Sequence, residues 1–270
     1  MRRNPRLVIA LIIIAFTLIS YYSRSSVNPV TGEKQHVAGI RPEQETALGL
    51  QAAPEMAAQH GGRTRDTQAA ALVEQVGRRV LEKSSAKNSP YEYQFHTLAD
   101  PNTVNAFALP GGQVFITMGL LRKLRTEGEL AGVLGHEIAH VVARHGAEHM
   151  AKQQLAQGLT GAAVLATVDP GNPGSMRTQQ MIQMISGLVQ MKFGRSDELE
   201  SDRLGVKFVS EAGYDPRAMI GVMEVLRSAG GGGRQPEFFS THPNPDNRIE
   251  RIQAAITDLF PGGVPSGLTE

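Results

Sequence analysis

The chain has 270 residues, 41% hydrophobic and 20% charged, which suits one or two domains with a full core and argues against wholesale disorder. Basic and acidic residues number 27 and 26, but Arg2, Arg3, Arg6 and Arg24 flank a single terminal segment. The remainder is slightly acidic, which argues against an electrostatic nucleic-acid binder. Cysteine is absent, so disulfides, thiolate catalysis and Cys-ligated zinc are excluded, and any metal must be held by histidine and carboxylate.

In chain order, Leu7 to Tyr22 is an apolar run broken only by Thr17 and Ser20, slightly short of the roughly 20 residues a spanning helix needs. Arginines before it and Tyr21-Tyr22 at its end predict an uncleaved membrane anchor over residues 1–26, with the N-terminus cytoplasmic; a cleaved signal peptide is the alternative. Residues 27–262 then form the body, outside the cytoplasm on the periplasmic face of a bacterial inner membrane, and residues 263–270 read as a flexible tail. Helices are expected over Glu43–His60 and Thr64–Ser84, the second on the stripe Leu72, Val73, Val76 and Val80. Tyr91–Leu98, Thr103–Leu109 and Gln113–Met118 read as strands of a small antiparallel sheet, the last two joined by Pro110-Gly111-Gly112. Thr126 to about Gln157 is one helical pattern, extended by the apolar Gly161–Val168 and broken at Asp169-Pro170-Gly171. Met176–Phe193, Asp197–Ala212, Met219–Ser228 and Asn247–Leu259 read as further helices, with residues 230–233 as a glycine loop. The fold class expected is α+β, mainly helical.

The chemistry is concentrated in His136-Glu137-Ile138-Ala139-His140. Residues four apart share one helix face, so both imidazoles can reach one ion with Glu137 beside them. Leu130, Val133, Leu134, Val141 and Val142 make this helix apolar, where unpaired imidazoles would be costly. A third ligand of the metzincin type would need Gly at 143 and His at 146, but those positions hold Ala143 and Gly146, so a later carboxylate is required. Arg195 to Asp202 offers Glu198 and Asp202 four apart on one helical face, with Glu200 about 200° away from Glu198. One carboxylate could bind metal while the next accepts a ligand histidine's free N–H, as Asp202 is placed to do; an acidic helix start that only complements the dipole is the plain alternative. His145 and His149 count half a turn away from His136 and are read as facing elsewhere. His36, His60 and His96 have no partner at ligand spacing.

The strand from Gln113, entered through Gly112, could present Gln113, Val114 and Phe115 as an exposed edge to which an extended substrate adds, with Asn105 holding its backbone. A plain core hairpin is the other reading. His242 lies in Thr241-His242-Pro243 after the glycine run, on a turn that could carry its ring to a metal. There it would stabilise an oxyanion or fill the fourth position; otherwise it caps the next helix or fills a surface niche.

The order Asn105-Ala106-Phe107-Ala108-Leu109-Pro110-Gly111-Gly112, the His136–His140 motif, Glu198-x-x-x-Asp202 and Thr241-His242-Pro243 resembles the membrane-associated zinc metallopeptidases of peptidase family M48. These include HtpX-type heat-shock proteases, CAAX prenyl proteases and periplasmic quality-control proteases. The resemblance covers roughly residues 40–260 and implies a zincin-like domain with one zinc ion on His136, His140 and Glu198, Glu137 as base and Asp202 in support. It favours the functional readings of His242 and of the substrate strand. No second apolar run approaches a span, and Leu155–Val168, with Gln157, Thr160 and Thr167, reads as covering the active site or touching lipid. The expectation is a singly anchored zinc endopeptidase acting on unfolded or misassembled membrane or envelope proteins. A membrane-tethered chaperone or assembly factor with structural zinc is the alternative, against which Glu137 argues, because a structural site has no use for a base.

Overall fold

A computed structural model of the chain describes residues 5–37, 39–167, 192–230, 235–243 and 247–270. Helix α1 (Pro5–Ser23) leads into a hairpin of β1 (Ser25–Val27) and β2 (Lys34–His36), then α2 (Pro42–Gln59) and α3 (Thr67–Lys83). Strands β3 (Gln94–Leu98), β4 (Ala106–Leu109) and β5 (Gln113–Thr117) pass through the short α4 (Met118–Leu121) into α5 (Glu127–Val142) and α6 (His145–Thr167). Helices α7 (Arg195–Glu211), α8 (Ala218–Ala229), the single-turn α9 (Phe238–Thr241) and α10 (Arg248–Leu259) follow. The helix expected over Met176–Phe193 falls outside the described residues, apart from Lys192 and Phe193, which are not helical. Residues 231–233 of the glycine run also fall outside them.

Helix α5 is the centre of the body. Thr126 caps it by accepting from Glu129 N at 3.1 Å, and Leu130, Val133, Leu134, Ile138 and Val141 are all buried. Each such side chain contributes about 1.5–3 kcal/mol on leaving water. It packs against α3, α7 and α8, and glycine sets the closest of these approaches. A Cβ on Gly135 would stand 2.9 Å from Val209, and one on Gly205 only 3.4 Å from the His136 backbone nitrogen. That contact brings the acidic start of α7 over the histidine face of α5.

The expectation of one helix through Thr126–Gln157 is corrected: the chain turns between α5 and α6, with Arg144 at φ 56°. The left-handed position holds Arg144 rather than a glycine, and the nearest glycine, Gly146, already lies within α6. Arg144 is held instead by Glu45, by donating from Nε at 2.9 Å, and by the Ile40 carbonyl at 2.7 Å. Asn28 donates to the Val142 carbonyl at 2.6 Å and Gln35 to that of Ala143, so the β1–β2 hairpin satisfies carbonyls that the ending helix leaves free.

The sheet has the order β3-β5-β4, with β3 parallel and β4 antiparallel to β5, which corrects the expected all-antiparallel sheet. Strand β5 takes the central slot because all five of its residues are buried, as for a strand covered on both faces. Gly111 and Gly112 turn the chain at φ 81° and 99°, and a Cβ on Gly111 would strike the Thr46 backbone at 2.3 Å. The C-terminal residues are not a loose tail: Thr269 N donates to Gly213 O at 3.0 Å, and Asp215 N to Thr269 O at 2.8 Å.

Among the described residues no helix is long and apolar enough to cross a membrane. Helix α1 leaves Leu11, Ile12, Phe16 and Ile19 more than 60% exposed. It lies along α6, where Gly158 meets Thr17 so closely that a Cβ would stand 2.7 Å from its methyl carbon.

Candidate metal centre

Helix α5 presents His136, Glu137 and His140, α7 brings Glu198, and the residue after α9 brings His242; all five are buried. His140 Nε2 lies 3.1 Å from His136 Nε2 and 3.4 Å from Glu198 Oε1. His242 Nδ1 lies 3.0 Å from Glu198 Oε1 and 3.4 Å from His136 Nε2. Ligands about 2.0–2.1 Å from a tetrahedral zinc stand about 3.3 Å from one another, so the separations fit that ion, and the four residues form one group that could hold a metal.

Glu137 has no hydrogen-bond partner for either oxygen, and His242 Nε2 stands 3.6 Å from its Oε1. Burial raises its carboxyl above the ordinary range. Glu198 behaves oppositely. Burial acts upward on it, but His242, His136 and His140 together hold it well below the usual value.

Asp202 lies 3.0 Å from His136 Nδ1, so that nitrogen donates and Nε2 is left for a metal. The sequence reading missed Arg248, whose guanidinium donates to both oxygens of Asp202 at 2.7 and 2.8 Å and stands 3.2 Å from Glu198 Oε2. It is 3% exposed. A signal was available, because Arg248, Ile252 and Ile256 are the buried residues of α10 at fourfold spacing, so the arginine occupies the apolar register.

His145 was expected to face elsewhere, and this is corrected. Its ring is buried with Nδ1 3.0 Å from His140 Nδ1, and Nε2 lies 3.2 Å from Glu200 Oε2. Helical counting from His136 fails across Arg144, where the helix ends. His149 does face away, 2.8 Å from Asp197 Oδ2. Phe193 stacks on the His140 ring at 4.0 Å.

The expected substrate edge is also corrected. Because β5 pairs on both sides, Gln113, Val114 and Phe115 present no free edge. Gln113 binds His96 at 2.8 Å, and Phe115 stacks between the rings of His96 and Phe107. Gly112 is wedged against Glu92. The edge strand on this side is β4. Asn105, just before it, donates to Glu237 at 3.3 Å and keeps a buried Oδ1 without a partner. A narrow cleft of about 70 Å³ runs past Asn105, Phe107, Leu109, Phe193 and Thr241, and a smaller hollow lies beside Ala108, Phe193 and His140.

The model of peptidase family M48 matches residues 67–256. The beta-barrel assembly-enhancing protease of Escherichia coli is 32% identical over 200 residues, 72% of this chain and 40% of that protein. The mitochondrial metalloendopeptidase OMA1 of Schizosaccharomyces pombe is 35% identical over 182 residues, 67% of this chain and 51% of that protein. For the OMA1 of Bos taurus the identity is 33% over 174 residues, 62% and 33% of the two chains. The chain therefore spans about half or less of the length of these relatives.

Proposed function

The chain belongs to peptidase family M48, and from that premise we propose that it is a zinc-dependent endopeptidase that cuts unfolded or misassembled membrane or envelope proteins. The observation that carries this is a buried, unpartnered Glu137 beside a cluster of three histidines and a carboxylate. His136, His140 and Glu198 hold one zinc ion per chain. When bound, zinc polarises the substrate carbonyl and lowers the pKa of water to about 7. Glu137 takes the proton of the attacking water and returns it to the leaving amine. Asp202 fixes the His136 ring, and Arg248 balances the carboxylate charge. His242, with Nδ1 3.0 Å from Glu198 Oε1, would offer the ion a fourth ligand atom.

An extended polypeptide adds to the free edge of β4 along the cleft, with Asn105 offering its unpartnered oxygen to the substrate backbone. Helix α1 anchors the protein, with its arginines cytoplasmic and the catalytic body outside the cytoplasm; the exposed apolar side chains of α1 support this. The names of the relatives, an assembly-enhancing protease and mitochondrial endopeptidases, support the substrate class.

A second reading, a tethered chaperone with structural zinc, is favoured by the presence of a fourth protein ligand, which closes a site. The test is incubation of the full chain in detergent with an unfolded protein, with and without a chelator. Fragments that the chelator abolishes are expected. Zinc binding without fragments would leave the chaperone.

A further inference from the structure

We infer that His145 and Glu200 are positioning residues for the ligand His140, linked to it by a relay of two hydrogen bonds that ends at the protein surface. This rests on the metal reading proposed above. His140 turns Nε2 towards His136 and Glu198, which leaves Nδ1 to be satisfied within the protein. That nitrogen lies 3.0 Å from Nδ1 of His145. Of two facing ring nitrogens one donates and the other accepts. A histidine that gives its Nε2 lone pair to a cation carries its proton on Nδ1, so His140 donates and His145 accepts. The His145 proton then sits on Nε2, which faces Glu200 Oε2 at 3.2 Å, and a carboxylate accepts it. Both bonds thus have one consistent direction, from the metal outward. Ser201 Oγ also lies 3.3 Å from His145 Nδ1, but that nitrogen has one lone pair, which the shorter contact to His140 takes.

The arrangement also answers why a second histidine is needed. His136 meets a carboxylate directly, at Asp202. On α7, Glu200 projects from a different face than Glu198, and so it does not point at His140. The turn at Arg144, with its left-handed backbone, swings His145 into the space between them. His145 is buried, whereas the Glu200 side chain is 24% exposed, so the relay spans the wall from ligand to solvent. Outer partners of this kind hold ring orientation and tautomer, and their loss weakens metal binding by about 10–100-fold.

The test is zinc affinity of the full chain in detergent, by competition with a chromophoric chelator, with the visible spectrum of the Co²⁺-loaded protein as a second readout. Glu200→Leu keeps approximate size and removes the acceptor, so an about 10–100-fold weaker affinity and a shifted Co²⁺ spectrum are expected, with the melting temperature of the metal-free protein not lowered. Glu200→Gln should recover part of the affinity, because its amide oxygen can accept from His145. His145→Ala should weaken binding at least as much as Glu200→Leu, and His145→Gln should recover part of it, because the amide oxygen can accept from His140. Should His145→Ala fail to fold, Glu200→Leu decides. Affinity within twofold of the parent for Glu200→Leu, or a loss of metal-free stability with affinity unchanged, overturns the relay. A parent protein that binds no zinc overturns the metal reading itself, and the relay with it.

Discussion

His242 Nδ1 lies 3.0 Å from Glu198 Oε1, which places a histidine from outside the two long helices within their ring of ligand atoms. Its ring is stacked on Phe238 at 4.4 Å, and its backbone N–H donates to the Phe238 carbonyl at 2.8 Å, so the turn of α9 aims it. If His242 fills the position that water needs, His242→Ala should raise basal cleavage of an unfolded protein several-fold while lowering zinc affinity less than Glu198→Ala does. Assays of both quantities on one preparation check this. A fall in turnover with zinc affinity unchanged would instead make the ring an oxyanion donor.

Glu137→Gln should bind zinc like the parent and lose about 10²–10⁴ in turnover, the usual worth of a positioned base. The substitution keeps the volume of a side chain that makes no hydrogen bond, so the melting temperature should hold or rise. Metal content, melting and single-turnover cleavage together check it. Full activity in the variant would remove Glu137 from the mechanism.

The legible parts of the molecule were those with local causes. The spacing of His136 and His140 and the fourfold step from Glu198 to Asp202 are properties of single helices, and the structure places these residues as a helix must. Arg248, His145 and the β4 edge depend on contacts distant in sequence. The break at Arg144 is made by Glu45 and the β1–β2 hairpin rather than by a helix breaker, so counting residues along the motif helix put His145 on the wrong side. Strand order was hidden for a related reason: β4 and β5 form the hairpin the sequence suggests, but the pairing of β5 with β3 is decided by what covers each face. The docked C-terminus is held by two backbone bonds around Thr269, which no local pattern announces.

Acid should loosen the start of α7 through Asp197. Burial acts to raise this carboxyl, but His149 at 2.8 Å and the Gly194 N–H at 2.8 Å hold it below the ordinary value. A carboxyl whose folded pKa is depressed stabilises the fold at pH above its unfolded value of about 3.9, and that contribution is lost as pH falls through the folded pKa. Asp197→Asn should therefore cost on the order of 2 kcal/mol at neutral pH, with the difference from the parent shrinking below about pH 4. Denaturant unfolding of the metal-free protein across pH checks it; a difference that stays constant with pH would assign the loss to packing.

Arg248 should show its role through the metal dependence of stability. Its guanidinium bonds both oxygens of Asp202 and stands 3.2 Å from Glu198, and with the arginine removed two buried carboxylates lose their compensating charge. Breaking a buried pair from one side costs about 3–5 kcal/mol, so metal-free Arg248→Ala should melt well below the parent. Zinc should return part of the loss, because a cation among His136, His140 and Glu198 takes over the balancing of Glu198, whereas Asp202 keeps only its bond to His136. The expected result is a destabilisation that is larger in chelator than in zinc. Melting curves of both proteins under both conditions measure it, and equal losses with and without zinc would show that Arg248 serves Asp202 alone.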